Sequence, residues 1–355
     1  MNQELLQQHI KSYLKYLRSD QGSAESSERA DRCHWYQRYT QDRIEGMSED
    51  EFFEFISNLY ALRGWGNKKY FVDNLIQKNG FFKALKEELA MLVWGQNPIE
   101  NRWDHFRSNV KGIGPAMMSE ILAHIHPNEC AIWNRRVYEG LSYLEVKSLP
   151  RHNYQLTGET YKQITALQSD IAKELTRAGM KDVDLIWVDY FIWKELKGNG
   201  PLKDVYDDPK PVTDPQETKF LHDEVRDKIA EIGTWLGLES NTEITVSRGS
   251  RVDAIWEATI GNMGRVIYVF EVQTKGSIDS LIVNLFKSLN NPAVQGVVAV
   301  SDAQQIEKIR AHAAGMAGLS AKLKCWDYQD VLIVHESLER VNESINSLEL
   351  VPQSF

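Results

Sequence analysis

The chain has 355 residues, of which 42% are hydrophobic and 26% charged, and its net charge is −9. That length supports two domains with real cores, and the balance is that of a soluble globular protein. The acidity argues against a non-specific nucleic-acid coat, and no apolar run approaches the length of a membrane span.

The opening MNQELLQQHIKSYLKYL carries an amphipathic helix pattern, without the apolar core and cleavage site of a secretion signal. The Ser-rich stretch 19–31 reads as a mobile loop. Apolar residues three and four apart predict helices over 49–62, 70–77, 81–95, 116–125, 161–179 and 184–196. GNGPLKDVYDDPKPVTDP (198–215) holds four of the ten prolines and two glycines and reads as an interdomain linker. The expected division is a helical domain over 1–200, a linker over 201–215 and an α/β domain over 216–355. Cys33, Cys130 and Cys325 are far apart and odd in number, which predicts free thiols in a reducing cytoplasm.

After the linker, 218–237 reads as a helix ending at Gly237, and 243–260 as strand, turn and strand. GNMG (261–264) is a turn into RVIYVFEV. Residues 277–290 read as a helix with Ser277 at its N-cap, and 294–301 as a buried strand. AQQIEKIRAHAAGM reads as a helix, and 323–339 as a final strand and turn. The order α-β-β-α-β is that of an α/β domain with a central mixed sheet. Residues 201–355 carry 15 Lys and Arg against 23 Asp and Glu, so the acidity is concentrated there. An acid-rich site approaches phosphate through a bound cation, so a metal enzyme is compatible with it.

The strand VFEVQTKG (269–276) ends in Glu271, Gln273 and Lys275, which alternation places on one face, with Val272 on the other. A hairpin of 253–260 against 264–271 sets Asp253 opposite Glu271; neighbouring registers move the pairing by one or two residues. Two carboxylates at one end of adjacent strands repel unless something positive lies between them. A hard divalent cation suits such oxygen donors and lowers the pKa of a bound water. The plain alternative is a strand that leaves the core in solvated polar residues.

This arrangement resembles the PD-(D/E)XK nuclease superfamily over roughly residues 216–335. The resemblance implies a restriction-endonuclease-like fold and metal-dependent hydrolysis of DNA. Its cofactor would be Mg²⁺ or Mn²⁺, held by Asp253, Glu271 and the Val272 carbonyl. Glu224 matches an extra acid on the preceding helix, with Glu231 as the alternative. Gln273 stands where the family usually has lysine; it can orient a water but carries no charge. Lys275, two residues on, is the candidate cation. A different alignment, on Gln273-Thr274-Lys275, resembles the Gln-x-Lys variant of restriction proteins that target modified DNA. It moves Glu271 away from the metal. Asp279, Asn284 and Lys287 on the next helix read as a solvated face.

In the helical half, Lys111, Gly112, Ile113 and Gly114 lie between two helices. Glycine permits a tight turn with exposed N–H groups that can hold a DNA phosphate without reading sequence. Pro115 fits the first turn of the following helix. The stretch resembles the helix-hairpin-helix motif, and residues 45–195 resemble the glycosylases that contain it. Asn134 occupies the place of their catalytic Asp, and their lysine is absent, which implies a DNA-binding domain without base excision. Arg135 and Arg136 are candidate backbone contacts. An ordinary interhelix turn is the plain alternative. His124, His126 and Cys130 read as a helix end and loop rather than a zinc site.

The expected fold is thus an all-helical helix-hairpin-helix domain followed by a restriction-endonuclease-like α/β domain. The expected activity is a Mg²⁺-dependent DNA endonuclease serving restriction, anti-phage defence or repair. DNA is the expected partner, a homodimer is compatible, and a membrane is not involved. The rivals are a DNA-binding protein with a degenerate nuclease fold and a glycosylase using another acid in place of Asn134.

Overall fold

The structure is a computed structural model that describes residues 1–62, 68–196, 215–247, 249–259, 264–274 and 277–346. The chain forms two compact units, Met1–Lys210 and Pro211–Val351. Three expected features lie outside the described residues: Lys275, the 261–263 turn and all of the 201–215 linker except Pro215.

The first unit is helical. Its elements are α1 (Gln3–Leu17), α2 (Asp20–Gln37), α3 (Gln41–Gly46), α4 (Glu49–Ser57), α5 (Lys68–Lys78) and α6 (Phe82–Trp94), followed by α7 (Ile99–Asn109), α8 (Pro115–Ile125), α9 (Arg135–Tyr143), α10 (Gly158–Arg177) and α11 (Leu185–Glu195). Start signals in the sequence explain many of these boundaries. Ser48 and Glu51 form a reciprocal capping box on α4, and Asp184 accepts from the Trp187 N–H at the head of α11. The 49–62 stretch breaks after Ser57, and Tyr60–Leu62 is a short 3₁₀ turn.

Residues 19–31, expected as a loop, belong to α2. Ser19 caps the helix by accepting from the Gly22 N–H at 3.2 Å, and Arg29 reaches Asp189 of α11 at 3.2 Å. These tertiary partners outweigh the poor helix propensity of Ser and Gly. The unit's core centres on α8, nearly all of which is buried. Trp103 of α7 stacks on Tyr161 of α10, with ring centroids 4.0 Å apart. Gly158 lies where a side chain would overlap the Glu100 carbonyl. Gly158→Ala is therefore expected to cost about 2 kcal/mol, read as a lower urea midpoint.

The second unit begins with α12 (Pro215–Trp235) and a meander of β1 (Glu239–Ser247), β2 (Ser250–Thr259) and β3 (Arg265–Val272). It continues with α13 (Ile278–Ser288), β4 (Val294–Ser301), α14 (Ala303–Ala313), α15 (Ala317–Ser320), β5 (Leu323–Asp327) and α16 (Tyr328–Asn346). The sheet order is β1-β2-β3-β4-β5, antiparallel as far as β3 and parallel from there. Val269, Ile255, Val297 and Ala299 pack with Leu281, Ile282 and Leu285 of α13 into one buried cluster. Trp256 donates to the Ile229 carbonyl of α12 at 2.7 Å and packs on Phe270. Of 323–339, expected as a strand and a turn, the strand is β5 and the rest forms the first part of α16, which packs against α12. Val331, Leu332 and His335 are buried at helical spacing there.

Candidate active site and glycine turn

The β2–β3 ladder pairs Ala254 with Phe270 and Ile255 with Val269. One step further along the same register sets Asp253 opposite Glu271. The two carboxyl groups are near enough for Asp253 to perturb Glu271. Asp253 also accepts from the Val272 N–H at 2.7 Å, which fixes its side chain at the end of β3. Glu271 is 8% exposed, and its Oε1 has no hydrogen-bond partner. Burial and the Asp253 charge push the Glu271 carboxyl up to about 8. His222 and a hydrogen bond with Asn284 act in the opposite direction.

His222 is the residue that sequence reasoning missed. Its Nε2 lies 3.5 Å from Asp253 Oδ2, and its Nδ1 lies 3.7 Å from Asp223. Burial alone would lower its pKa, but hydrogen bonds and attraction to Asp223 and Asp253 raise it to about 10. The ring is thus the fixed cation beside the acid pair. Glu224, two residues on, pairs with Lys228 at 3.7 Å. Two residues turn a helix by about 200°, so His222 and Glu224 leave α12 in different directions. Glu231, the alternative acid, pairs with His335 of α16. The signal in HDEVRD was the helix phase set by buried Leu221, Val225 and Ile229, rather than the acid itself.

Gln273 is buried, with its N–H on the Val300 carbonyl at 2.8 Å and its carbonyl accepting from Ser301 Oγ at 2.6 Å. Its main chain is locked to β4. Asn284, read from sequence as part of a solvated face, turns its amide toward Glu271. Asp279 and Lys287 are exposed, as expected of a solvated face. Two carboxylates, one with an unsatisfied buried oxygen, form a donor set that fits a hard divalent cation. Among the described residues, no group of three or more His, Cys, Asp and Glu forms a ready-made metal cluster.

In the first unit, Lys111 and Gly112 lead from α7 to α8. Gly112 has φ +87°, a left-handed conformation that favours glycine. Asn79, from the turn after α5, holds the loop through both backbone groups of one residue, Lys111. Its Nδ2 donates to the Lys111 carbonyl at 2.9 Å, and its Oδ1 accepts from the Lys111 N–H at 2.8 Å. Gly114 caps α8 without a side chain, Pro115 opens the helix, and both Gly112 and Gly114 are exposed. The leading N–H groups of α8 have no partner within the helix.

Asn134 is the N-cap of α9 and accepts from the Val137 N–H at 2.9 Å. The strand-like approach to it is held by Ser119, Tyr161 and Gln168, which bond Trp133, Ala131 and Ile132. Arg135 and Arg136 pair with Glu139, and Arg136 also donates to the Trp193 carbonyl. His124 is buried against the Glu120 carbonyl, and burial lowers its pKa to about 4, so it belongs to the core. Burial likewise raises Cys33 to about 12 and Cys130 to about 11, and all three cysteines are free. Glu120, also missed from sequence, accepts from the Tyr60 and Ala61 N–H groups, and burial pushes it up to about 7. No helix among the described residues is long and apolar enough to cross a membrane.

In comparisons with known proteins, no family model, no curated protein and no solved structure matches this chain.

Proposed function

We propose that the chain is a divalent-metal-dependent DNA endonuclease of the PD-(D/E)XK type. In this proposal the second unit hydrolyses the phosphodiester and the first unit grips DNA through a helix-hairpin-helix turn. The observation that carries the reading is the Asp253–Glu271 pair, with its unsatisfied buried oxygen at the end of β3. A buried acid set beside a second acid is costly to the fold unless the pair has a cation to hold.

Asp253 and Glu271 would hold Mg²⁺ or Mn²⁺, which supplies an activated water and stabilises the charge that develops on phosphate. Asp253, bonded to the Val272 N–H, keeps one oxygen fixed toward the site. His222, positively charged at neutral pH, supplies the fixed cation that Gln273 lacks. Gln273 orients a water through its amide, and Lys275 is a second cation. The exposed Gly112–Gly114 turn presents N–H groups to a backbone phosphate, and Lys111 adds a charge. Asn134 serves as a helix cap, which favours DNA binding over base excision in this unit.

Plasmid and phage DNA, modified and unmodified, incubated with Mg²⁺, Mn²⁺ or EDTA test the proposal. Breaks that require metal support it. Binding without breaks under any divalent ion favours the rival reading, a DNA-binding protein whose nuclease site has degenerated at Gln273. Lys111→Glu is expected to weaken DNA affinity uniformly across sequences and to lower the salt slope by about 1, measured by fluorescence anisotropy at several salt concentrations.

A further inference from the structure

The turn after α5 breaks two local rules at one residue. Phe81 is 80% exposed, the most of any large hydrophobic side chain among the described residues. It is also the N-cap of α6, where it makes no side-chain cap. Ser, Thr, Asp or Asn would stabilise that position, and a polar residue would spare a ring from water. No packing offsets either loss. Local rules broken together without structural gain are expected at functional positions.

The surroundings indicate what the ring meets. Asn79, two residues before Phe81, is bonded to the N–H and the C=O of Lys111, so the Phe81 turn and the glycine turn are tied together. Gly80, with φ +77°, turns the chain so that Phe81 starts a new helix. Lys78, Lys83 and Lys111, all exposed, lie in or within three residues of these two turns. Lys83 shares its charge with Glu87 at 3.7 Å. An exposed aromatic among lysines complements a polyanion that carries flat apolar faces, which is the chemistry of nucleic acid bases on a phosphate backbone.

We infer that Phe81 is a base-stacking residue, and that the first unit selects DNA containing an unpaired or unstacked base. In intact duplex the bases stack on one another and offer the ring no face. At a bulge, mismatch or flap one base is free, and the ring takes the place of its lost neighbour. The glycine turn and the lysines would hold the backbone beside it. The inference rests on the DNA reading given above and adds the class of DNA.

The test uses the full chain in EDTA, so that no cleavage occurs. Anisotropy is measured on a labelled intact duplex and on the same duplex carrying one unpaired nucleotide. The unaltered chain and Phe81→Trp are expected to favour the bulged duplex, and Phe81→Ala to lose that preference by roughly tenfold, the size of one base–aromatic contact. Intact-duplex affinity should change little in either variant. A Phe81→Ala chain that keeps the full preference overturns the inference, as does an unaltered chain with no preference. In both cases weakened binding by Lys111→Glu would leave the DNA reading standing. An unaltered chain that binds neither DNA overturns the DNA reading together with the inference.

Discussion

Glu271→Gln is expected to raise the thermal stability of the metal-free protein while reducing metal-dependent cleavage by about three orders of magnitude. The two effects have opposite signs because the proposal gives the acid a metal to hold, while its burial costs the fold. Burial and Asp253 raise the Glu271 carboxyl from 4.5 to about 8. Between those values the folded state keeps a proton that the unfolded chain releases, so stability falls as pH rises from about 4.5 to 8 and levels off above. At pH 7 the cost is on the order of 1–3 kcal/mol, and Gln removes it while keeping the shape. His222 acts in the same direction over a higher window. Its stabilising contribution is full below about 6.5 and is lost as pH rises through about 10. The metal-free protein should therefore lose stability steadily from pH 6.5 to 10, and Glu271→Gln should flatten only the part below 8. Thermal melts across pH, in EDTA, read both slopes. A variant that melts lower at pH 7 would contradict the assignment.

Asp253→Asn is expected to lose cleavage to a similar degree with little loss of fold. The Asn carbonyl can still accept from the Val272 N–H, so the end of β3 stays in place. What disappears is the charge. His222 then lacks one of its two partners, and its pKa should fall by at least about one unit from its raised position. Histidine titration by NMR reads that shift independently of any cutting assay. Cleavage at the unaltered rate would remove Asp253 from the site, and an unmoved His222 would show that Asp223 alone sets its charge.

The hairpin register was legible because alternation and a short Gly-rich turn leave few ways to pair β2 with β3, and one of them sets Asp253 opposite Glu271. Most helices of the first unit were legible from apolar spacing, whereas the short α3 and α9 were not read from it. Residues 19–31 were not, because the contacts that make them helical are tertiary: Arg29 on Asp189 and Tyr190 on Glu25. The start of α16 was hidden for the same reason, since its face is defined by α12. His222 was overlooked because a histidine among helix acids carries no spacing signal of its own, whereas its orientation is set by helix phase. Asn284 carried no signal at all, since a lone amide on an exposed-looking helix has no pattern.

The most direct measurement is calorimetric titration of Mn²⁺ into the unaltered chain, Asp253→Asn and Glu271→Gln, without DNA. It needs no knowledge of the recognised sequence or modification. The account predicts a saturable site in the unaltered chain, with a higher melting temperature when filled, and loss of that site in both variants. Mn²⁺ binding that is equal in all three would contradict it, because the acid pair at the end of β3 would then hold no metal.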